Sequence, residues 1–161
     1  MSNDNLNLVE WAVSNKPVEY STAINVMEGR VKNIYNSSER ELVWLLEHPS
    51  MFTAGTSAKD FELIDRNKFP IHSTGRGGRY TYHGPGQQVI YLMLNLKRYK
   101  TDIKFYIENL EKWLINSLLE LKIPAQRSND GIGVWVNNCN EGKQKKIAAI
   151  GIRIRKWVTF H

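Results

Sequence analysis

The chain has 161 residues, of which 42% are hydrophobic and 24% charged, so it can form one packed domain over residues 1–161 and is not a disordered chain. Lysine and arginine outnumber the acidic residues by 22 to 16, a net charge of +6, which favours an acidic partner: nucleic acid, a phosphorylated ligand or an acidic protein. One cysteine, Cys139, excludes an internal disulfide and a multi-cysteine metal site. Without a signal-peptide pattern or an apolar run of about 18 residues, we expect a cytoplasmic protein that does not cross a membrane.

Two segments place apolar residues at helical spacing. The first predicts a helix over 20–36, with Ser21 or Thr22 as its cap. The second predicts the clearest helix of the chain, over 101–123, with Thr101 as cap and Pro124 just past its end. The apolar stripe of this second helix is expected to cover a sheet.

Four segments are typical of strands. Residues 41–47 form a short apolar run that ends at a proline, and 88–96 are so continuously apolar that we expect a strand in the middle of a sheet. Residues 131–136 and 147–160 predict two further strands, joined by a polar, lysine-rich connection. The last alternating pattern runs on to His161 without a turn residue, so we expect the chain to end inside a strand. Helices and strands together predict an α/β or α+β domain.

The segment 73–88, STGRGGRYTYHGPGQQ, concentrates five glycines around Arg76 and His83. Glycine lets backbone amides approach a ligand closely, while arginine and histidine supply hydrogen-bond donors and a titratable ring. Glycines alone would favour a hairpin without ligand, but the two polar side chains favour a binding loop. Tyr80 breaks the GxGxxG pattern and GxxxxGK[ST] is absent, so neither a dinucleotide loop nor a P-loop is predicted.

Lys146 precedes the apolar run of 147–152, and strand parity places it on the same face as Ala148. We expect its amine at the rim of that apolar face, where desolvation would lower its pKa and suit it to act as a general base or, while charged, to stabilise a thiolate. The alternative is a side chain that extends into solvent. Cys139 lies in the polar connection, a poor place to hold a nucleophile. Serine-hydrolase and metalloprotease motifs are absent, and we predict no metal.

Four runs of residues carry a resemblance to a known family: RGGRYTYHGPGQ from Arg76, GVWV from Gly133, KIAAIG from Lys146 and VTFH from Val158. In this order they resemble lipoyl(octanoyl) transferase, the octanoyltransferase of lipoate biosynthesis, from about Leu42 to the last residue. The resemblance implies the fold of biotin and lipoate protein ligases, a mixed sheet flanked by helices. It also implies transfer of an octanoyl group from acyl carrier protein to a lipoyl-domain lysine, through a cysteine acyl-enzyme and without cofactor.

The resemblance carries roles to individual residues. It implies that Lys146 activates the nucleophilic cysteine, and that the acyl pocket is lined by Arg76, Gly77, Gly78, Arg79, Tyr80, Thr81, Tyr82, His83, Ala149, Ile150 and Gly151. The implied partners are octanoyl-acyl carrier protein, the lipoyl domains of 2-oxo acid dehydrogenase complexes and the glycine cleavage H protein. We expect a monomer with no nucleic-acid or membrane partner.

The sequence departs from the family in one respect. The family's cysteine lies several dozen residues after the lysine, in a Pro-Cys-Gly segment that these 161 residues do not contain. Cys139 precedes Lys146 and matches no family cysteine, so we expect a C-terminally incomplete domain that is inactive in transfer. The alternatives are an ATP-dependent lipoate or biotin ligase, a non-catalytic remnant that binds acyl carrier protein or lipoyl domains and, from charge alone, a nucleic-acid binder.

Overall fold

The computed structural model describes residues 9–129, 131–138 and 142–161, with only the backbone of Asn138. Cys139 lies outside the described residues. The chain separates into two compact units, one made of the residues up to Tyr99 together with Gly151–His161, the other of Lys100–Ile150. The predicted mixture of helices and strands is confirmed in both units. Among the described residues, no helix is long and apolar enough to span a membrane.

The first unit contains a three-stranded sheet made of β1 (Glu10–Val13), β2 (Leu42–Leu46) and β6 (Val89–Met93). Strand β2 is central, parallel to β1 and antiparallel to β6. The two strands predicted over 41–47 and 88–96 are therefore present, but the mid-sheet position expected for the second is wrong. Its apolar run is buried for another reason: helix α1 packs against it, and Thr159 N–H donates to Leu94 O just past its end (2.9 Å).

Helix α1 (Tyr20–Tyr35) covers this sheet. Its buried stripe repeats at three- and four-residue intervals, as the sequence predicts, and burial of each large apolar side chain contributes about 1.5–3 kcal/mol. The predicted caps are wrong, because the helix starts at Tyr20, whose ring is buried, and the cap position falls on Glu19 without a side-chain bond. The core comprises Ala23, Met27, Val31, Ile34, Leu42, Trp44, Leu46, Tyr91, Met93, Val158 and Phe160.

A second sheet of the same unit has the order β4-β3-β5, with β3 (Met51–Ala54) parallel to β4 (Ile71–Ser73) and antiparallel to β5 (Tyr80–His83). The glycine-rich segment is thus a loop that enters β5. Residues 153–160 form a hairpin of β10 (Arg153–Arg155) and β11 (Val158–Phe160). The single strand predicted over 147–160 is therefore wrong.

The second unit contains α2 (Ile103–Glu120) and the antiparallel strands β7 (Ala125–Gln126), β8 (Val134–Asn138) and β9 (Lys143–Ala148). Asp102 caps the helix by accepting from Phe105 N–H (3.0 Å), so the predicted cap Thr101 is wrong by one residue. The helix ends before Pro124, as predicted. Its apolar stripe packs on β7 and β8 but is not fully covered, since Ile103 and Leu121 are 44% and 69% exposed. Where the structure describes the connection predicted over 137–146, residues 137–138 belong to β8 and 143–146 to β9.

Candidate active site

Arg76 holds the glycine-rich loop from inside the first unit. Its side chain is buried, with 9% exposed. Nη2 donates to Thr53 O (3.0 Å), Thr53 Oγ1 (2.7 Å), Arg79 O (3.1 Å) and Thr81 Oγ1 (3.0 Å), and Nη1 donates to Gly77 O (2.9 Å). Burial lowers the pKa of Arg76, but an arginine keeps its charge at neutral pH. The guanidinium thus ties β3 to both ends of the 76–81 turn.

The loop backbone packs tightly on the residues after β3. Thr56 N–H donates to Arg76 O (2.9 Å), and Ser57 N–H donates to Gly78 O (3.0 Å). Gly55 has no room for a side chain, because a Cβ there would collide with the Gly78 carbonyl. Gly77 is different: it is exposed, and a Cβ there would meet no atom within 4 Å. The loop therefore presents an open stretch of backbone at Gly77 on a rigid support.

Two of the predicted pocket segments come together in this unit. Gly77 N–H donates to Ile152 O at 3.4 Å. Gly151 lies against the methylenes of Arg76, since a Cβ at Gly151 would be 3.1 Å from Arg76 Cδ. The glycine-rich loop and the start of the 151–161 segment, more than 70 residues apart in sequence, are therefore neighbours. That these residues line an acyl pocket stays a prediction.

The remaining loop residues face in different directions. Arg79 is largely exposed and pairs with Glu62 (2.9 Å), and Tyr82 is 41% exposed with its hydroxyl 3.1 Å from Ser50 Oγ. Tyr80 is half-buried. Thr81 bonds Arg76, as described above, and so supports the loop from within.

His83, the last residue of β5, is linked to Arg76 by hydrogen bonds through Thr53. Its Nε2 lies 3.0 Å from Thr53 Oγ1, which accepts from Arg76 and is free to donate its own proton to the imidazole. Burial lowers the pKa of His83 to about 4, assisted by the neighbouring His48 and Arg76. At neutral pH this ring is therefore an uncharged hydrogen-bonding group.

All four histidines of the chain meet around two buried tyrosines. Ring centroids lie 5.0 to 6.2 Å apart along the contacts of Tyr20 with His48, His72 and His161, and of Tyr91 with His48 and His161. His83 joins through His48, at 5.8 Å. This group, which we call the histidine–tyrosine cluster, comprises Tyr20, His48, His72, His83, Tyr91 and His161.

His48 fixes the hydrogen bonding of the cluster. Its Nδ1 donates to Val18 O (2.5 Å), so Nε2 accepts from the Tyr91 hydroxyl (2.8 Å) when the ring is neutral. Burial lowers the pKa of His48, raises that of Tyr20 to about 12 and raises that of Tyr91. His48 and the two tyrosines are therefore uncharged at neutral pH.

A cavity of about 330 Å³ opens beside the cluster. Sequence reasoning missed most of its lining, because these residues are scattered along the chain and bear no local pattern. Ser73 and Gly75 fall within the glycine-rich segment and His161 within the last quoted run. Arg153 brings a positive charge to it, and no carboxylate lines it among the described residues. The lining is Tyr20, Ser21, Ile24, Asn25, His72, Ser73, Gly75, Arg153 and His161.

Lys146 belongs to the second unit and lies on β9. Its side chain is exposed, so the desolvated position expected from the sequence is wrong. The reason is a β-bulge: Trp135 pairs with Lys146 and Val134 with Ala148, which leaves Ile147 as an extra residue. Directly paired residues share a face, so Lys146 and Ala148 lie on opposite faces rather than on the same one. The role assigned to Lys146 stays a prediction.

The other predicted residues of this unit are Ala149 and Ile150, which follow β9 without regular structure; Ala149 is exposed and Ile150 half-buried. Their pocket role also stays a prediction. Among the described residues, no three histidine, cysteine, aspartate or glutamate side chains group as metal ligands do. The expectation of a metal-free site stays a prediction.

Comparison with known proteins identifies the family. The sequence profile of the lipoyl protein ligase A/B catalytic domain matches residues 19–161. The chain is 53% identical over 154 residues to an octanoyltransferase of Parvibaculum lavamentivorans, covering 94% of this chain and 68% of that protein. It is 53% identical over 155 residues to an octanoyltransferase of Wolbachia pipientis wMel, covering 96% and 74%.

Solved structures confirm the fold. The chain superposes on a bipartite lipoate protein ligase of Thermoplasma acidophilum with a TM-score of 0.65 at 16% identity, over 96% of this chain and 60% of that one. Lipoate-protein ligase A bound with ATP gives a TM-score of 0.63 at 17% identity, over 94% and 64%. The chain thus spans less than two thirds of these two structures. By sequence and fold it belongs to the octanoyltransferases of the lipoyl protein ligase A/B catalytic domain family.

Proposed function

We propose that this protein acts in the transfer of an octanoyl group from octanoyl-acyl carrier protein to the lysine of lipoyl domains. The 53% identity to octanoyltransferases over most of the chain supports this reaction. The structural observation that carries the proposal is the loop at Gly77, which is exposed and open yet held by the buried Arg76 guanidinium. Such a preorganised backbone suits close contact with an acyl thioester.

The chemistry needs no nucleotide, since a thioester is already activated. A thiolate attacks the thioester carbonyl, the bond from that carbon to the carrier's sulfur breaks, and the carrier thiol leaves after taking a proton. The amine of the acceptor lysine then attacks the acyl-enzyme, an amide forms with loss of a proton, and the thiolate is regenerated. We assign to Lys146 the positive charge that favours the thiolate.

In the family this nucleophile is a cysteine of a Pro-Cys-Gly segment. The Pro-Cys-Gly segment of the family is not among these 161 residues, and the one cysteine present is Cys139. We therefore propose that this chain binds the acyl donor but does not by itself complete the transfer. The net charge of +6 supports recognition of an acidic carrier protein.

Intact-mass measurement after incubation with octanoyl-acyl carrier protein tests the proposal, together with a binding titration of the same carrier. We expect saturable binding that weakens with salt, and no octanoyl adduct on the chain. Apo carrier protein without an acyl chain is the matched control and should bind more weakly.

Three results would count against the proposal. Equal binding of apo and octanoyl carrier would contradict recognition of the acyl group. An octanoyl adduct that is lost in Cys139→Ser would make Cys139 a nucleophile. Release of pyrophosphate from ATP in the presence of octanoate or lipoate would instead identify a ligase.

A further inference from the structure

Three contacts within the second unit fix the Lys146 side chain. Its Nζ donates to Ile132 O at 2.9 Å and lies 4.7 Å from the centroid of the Trp135 ring. Its methylenes pass over Gly133, where a Cβ would be 3.2 Å from Cε and 3.3 Å from Cδ. Although exposed, the amine has a defined position, and that position depends on the backbone of Ile132 and Gly133.

The backbone of Gly133 is in turn held by Glu111 of α2. Glu111 is buried, with 8% exposed, which is unusual for a carboxylate on a helix. Its Oε1 accepts from Gly133 N–H at 3.1 Å, and its Oε2 pairs with Arg127 Nε at 2.8 Å. Arg127 Nη2 donates to Glu108 O at 2.9 Å, so the arginine is also fixed to α2.

The backbone conformation of Gly133, which the hydrogen bond to Glu111 holds, is one that other residues rarely adopt. Its φ is +130°, and a Cβ there would lie 2.6 Å from Ala148 O. The bulge at Ile147 lies opposite, between the Val134–Ala148 and Trp135–Lys146 pairs. Bulges redirect side chains and are frequent beside active sites. The position of the Lys146 amine is therefore set by the bulged strand β9, which carries Lys146, and by the 131–133 turn that it contacts.

We propose that Glu111 is a positioning residue for Lys146. The buried carboxylate holds Gly133 N–H, and the turn so held presents Ile132 O to the Lys146 amine and Gly133 to its methylenes. The functional meaning rests on the proposed function, in which Lys146 supplies the positive charge. Glu111 itself touches no reacting atom in this role; it acts through the turn.

The test follows the position of the Lys146 amine by NMR. The full 161-residue chain is methylated at its lysines with ¹³C-formaldehyde and a reducing agent, and Lys146→Arg identifies the Lys146 methyl signal. Because the amine lies 4.7 Å from the centroid of the Trp135 ring, this signal should be shifted upfield of a fully solvated methylated lysine in the unmodified sequence. Glu111→Met, which keeps length but removes both acceptor oxygens, should lose that upfield shift. Glu120→Met, an exposed carboxylate on the same helix, should keep it.

A milder variant covers the case in which Glu111→Met does not fold. Glu111→Gln keeps an acceptor for Gly133 but weakens it, so the amide proton of Gly133 and the Lys146 methyl signal should move together. A folded Glu111→Met with an unmoved Lys146 signal would overturn the proposal, as would a Glu111→Gln in which only the Gly133 amide moves. Because the readout is a position, absence of acyl-carrier binding would contradict the proposed function and leave this inference standing.

Discussion

The Arg76 guanidinium donates to both oxygens of Thr53, at 3.0 Å to the carbonyl and 2.7 Å to the hydroxyl. The arginine of the RGG motif therefore faces inward, and it supports the loop rather than presenting its charge to solvent. A ligand at this loop would meet the glycine backbone first.

Replacement of Arg76 by methionine should lower the free energy of unfolding by about 3 kcal/mol, because several buried acceptors lose their donor together. Arg76→Lys should recover little of this loss, since an ammonium does not reproduce the planar fork of a guanidinium. Urea unfolding measures both. Arg79→Met is the matched control on the same loop; its side chain is 69% exposed and its ion pair should contribute less than about 1 kcal/mol. Equal effects at the two positions would contradict a supporting role for Arg76.

A substitution at Gly77 distinguishes the contribution of the loop to stability from its contribution to binding. Gly77→Ala should change the free energy of unfolding by less than about 0.5 kcal/mol, because a Cβ there meets open space. The same methyl group should weaken binding of octanoyl-acyl carrier protein about tenfold, or about 1.4 kcal/mol, if the backbone contacts the acyl donor.

Gly55→Ala is the opposite case, since its Cβ would collide with the Gly78 carbonyl. It should cost about 2 kcal/mol of stability by overpacking. Unfolding curves and binding titrations of the two variants check both statements. Unchanged binding by Gly77→Ala would show that the donor does not contact this part of the loop.

The sequence predicts those features that repeat along the chain. The apolar stripes of α1 and α2 locate both helices, whereas their caps are misplaced by one to three residues, because several neighbouring residues have capping side chains. The turn of the β10–β11 hairpin carries no sequence signal: Lys156 and Trp157 adopt φ of 52° and 67°, which asparagine and glycine favour. The alternating pattern therefore predicts a continuous strand where the chain turns.

Features that depend on long-range contacts are not predicted by the sequence. The bulge at Ile147 places Lys146 on the face opposite to Ala148, and no residue pattern in KIAAIG predicts a bulge. The bond from Arg76 to Thr53 spans 23 residues, and the histidine–tyrosine cluster gathers residues from Tyr20 to His161. Each of these requires the fold to be known.

The histidine–tyrosine cluster should make the protein sensitive to acid. Burial lowers the pKa of His83 and of His161 to about 4, and in His161 the charges of Arg153 and Arg76 act in the same direction while Glu28 opposes them. The unfolded chain titrates these rings near 6.5, so it binds more protons than the folded chain below that pH. The contribution of these two rings to the free energy of unfolding is therefore fully present above about pH 6.5. It is lost as the pH drops towards 4, by on the order of 2 kcal/mol for each ring.

Urea unfolding between pH 7 and pH 4.5 measures this dependence. His83→Gln should be less stable at pH 7 but should lose less stability on acidification than the unmodified chain. A His83→Gln variant with an unchanged slope against pH would show that His83 does not contribute to the acid response.

The last prediction concerns two glycines of the second unit that have nearly the same backbone conformation. Gly131 has φ +127° and Gly133 φ +130°, so alanine at either position should cost about 1–3 kcal/mol of backbone strain. Only Gly133 is also crowded, since its Cβ would lie 2.6 Å from Ala148 O, whereas a Cβ at Gly131 meets nothing within 4 Å. Gly133→Ala should therefore be more destabilising than Gly131→Ala in urea unfolding, and the difference measures the close contact alone. Equal destabilisation would mean that the turn can move away from β9, and the position of Lys146 would then not depend on it.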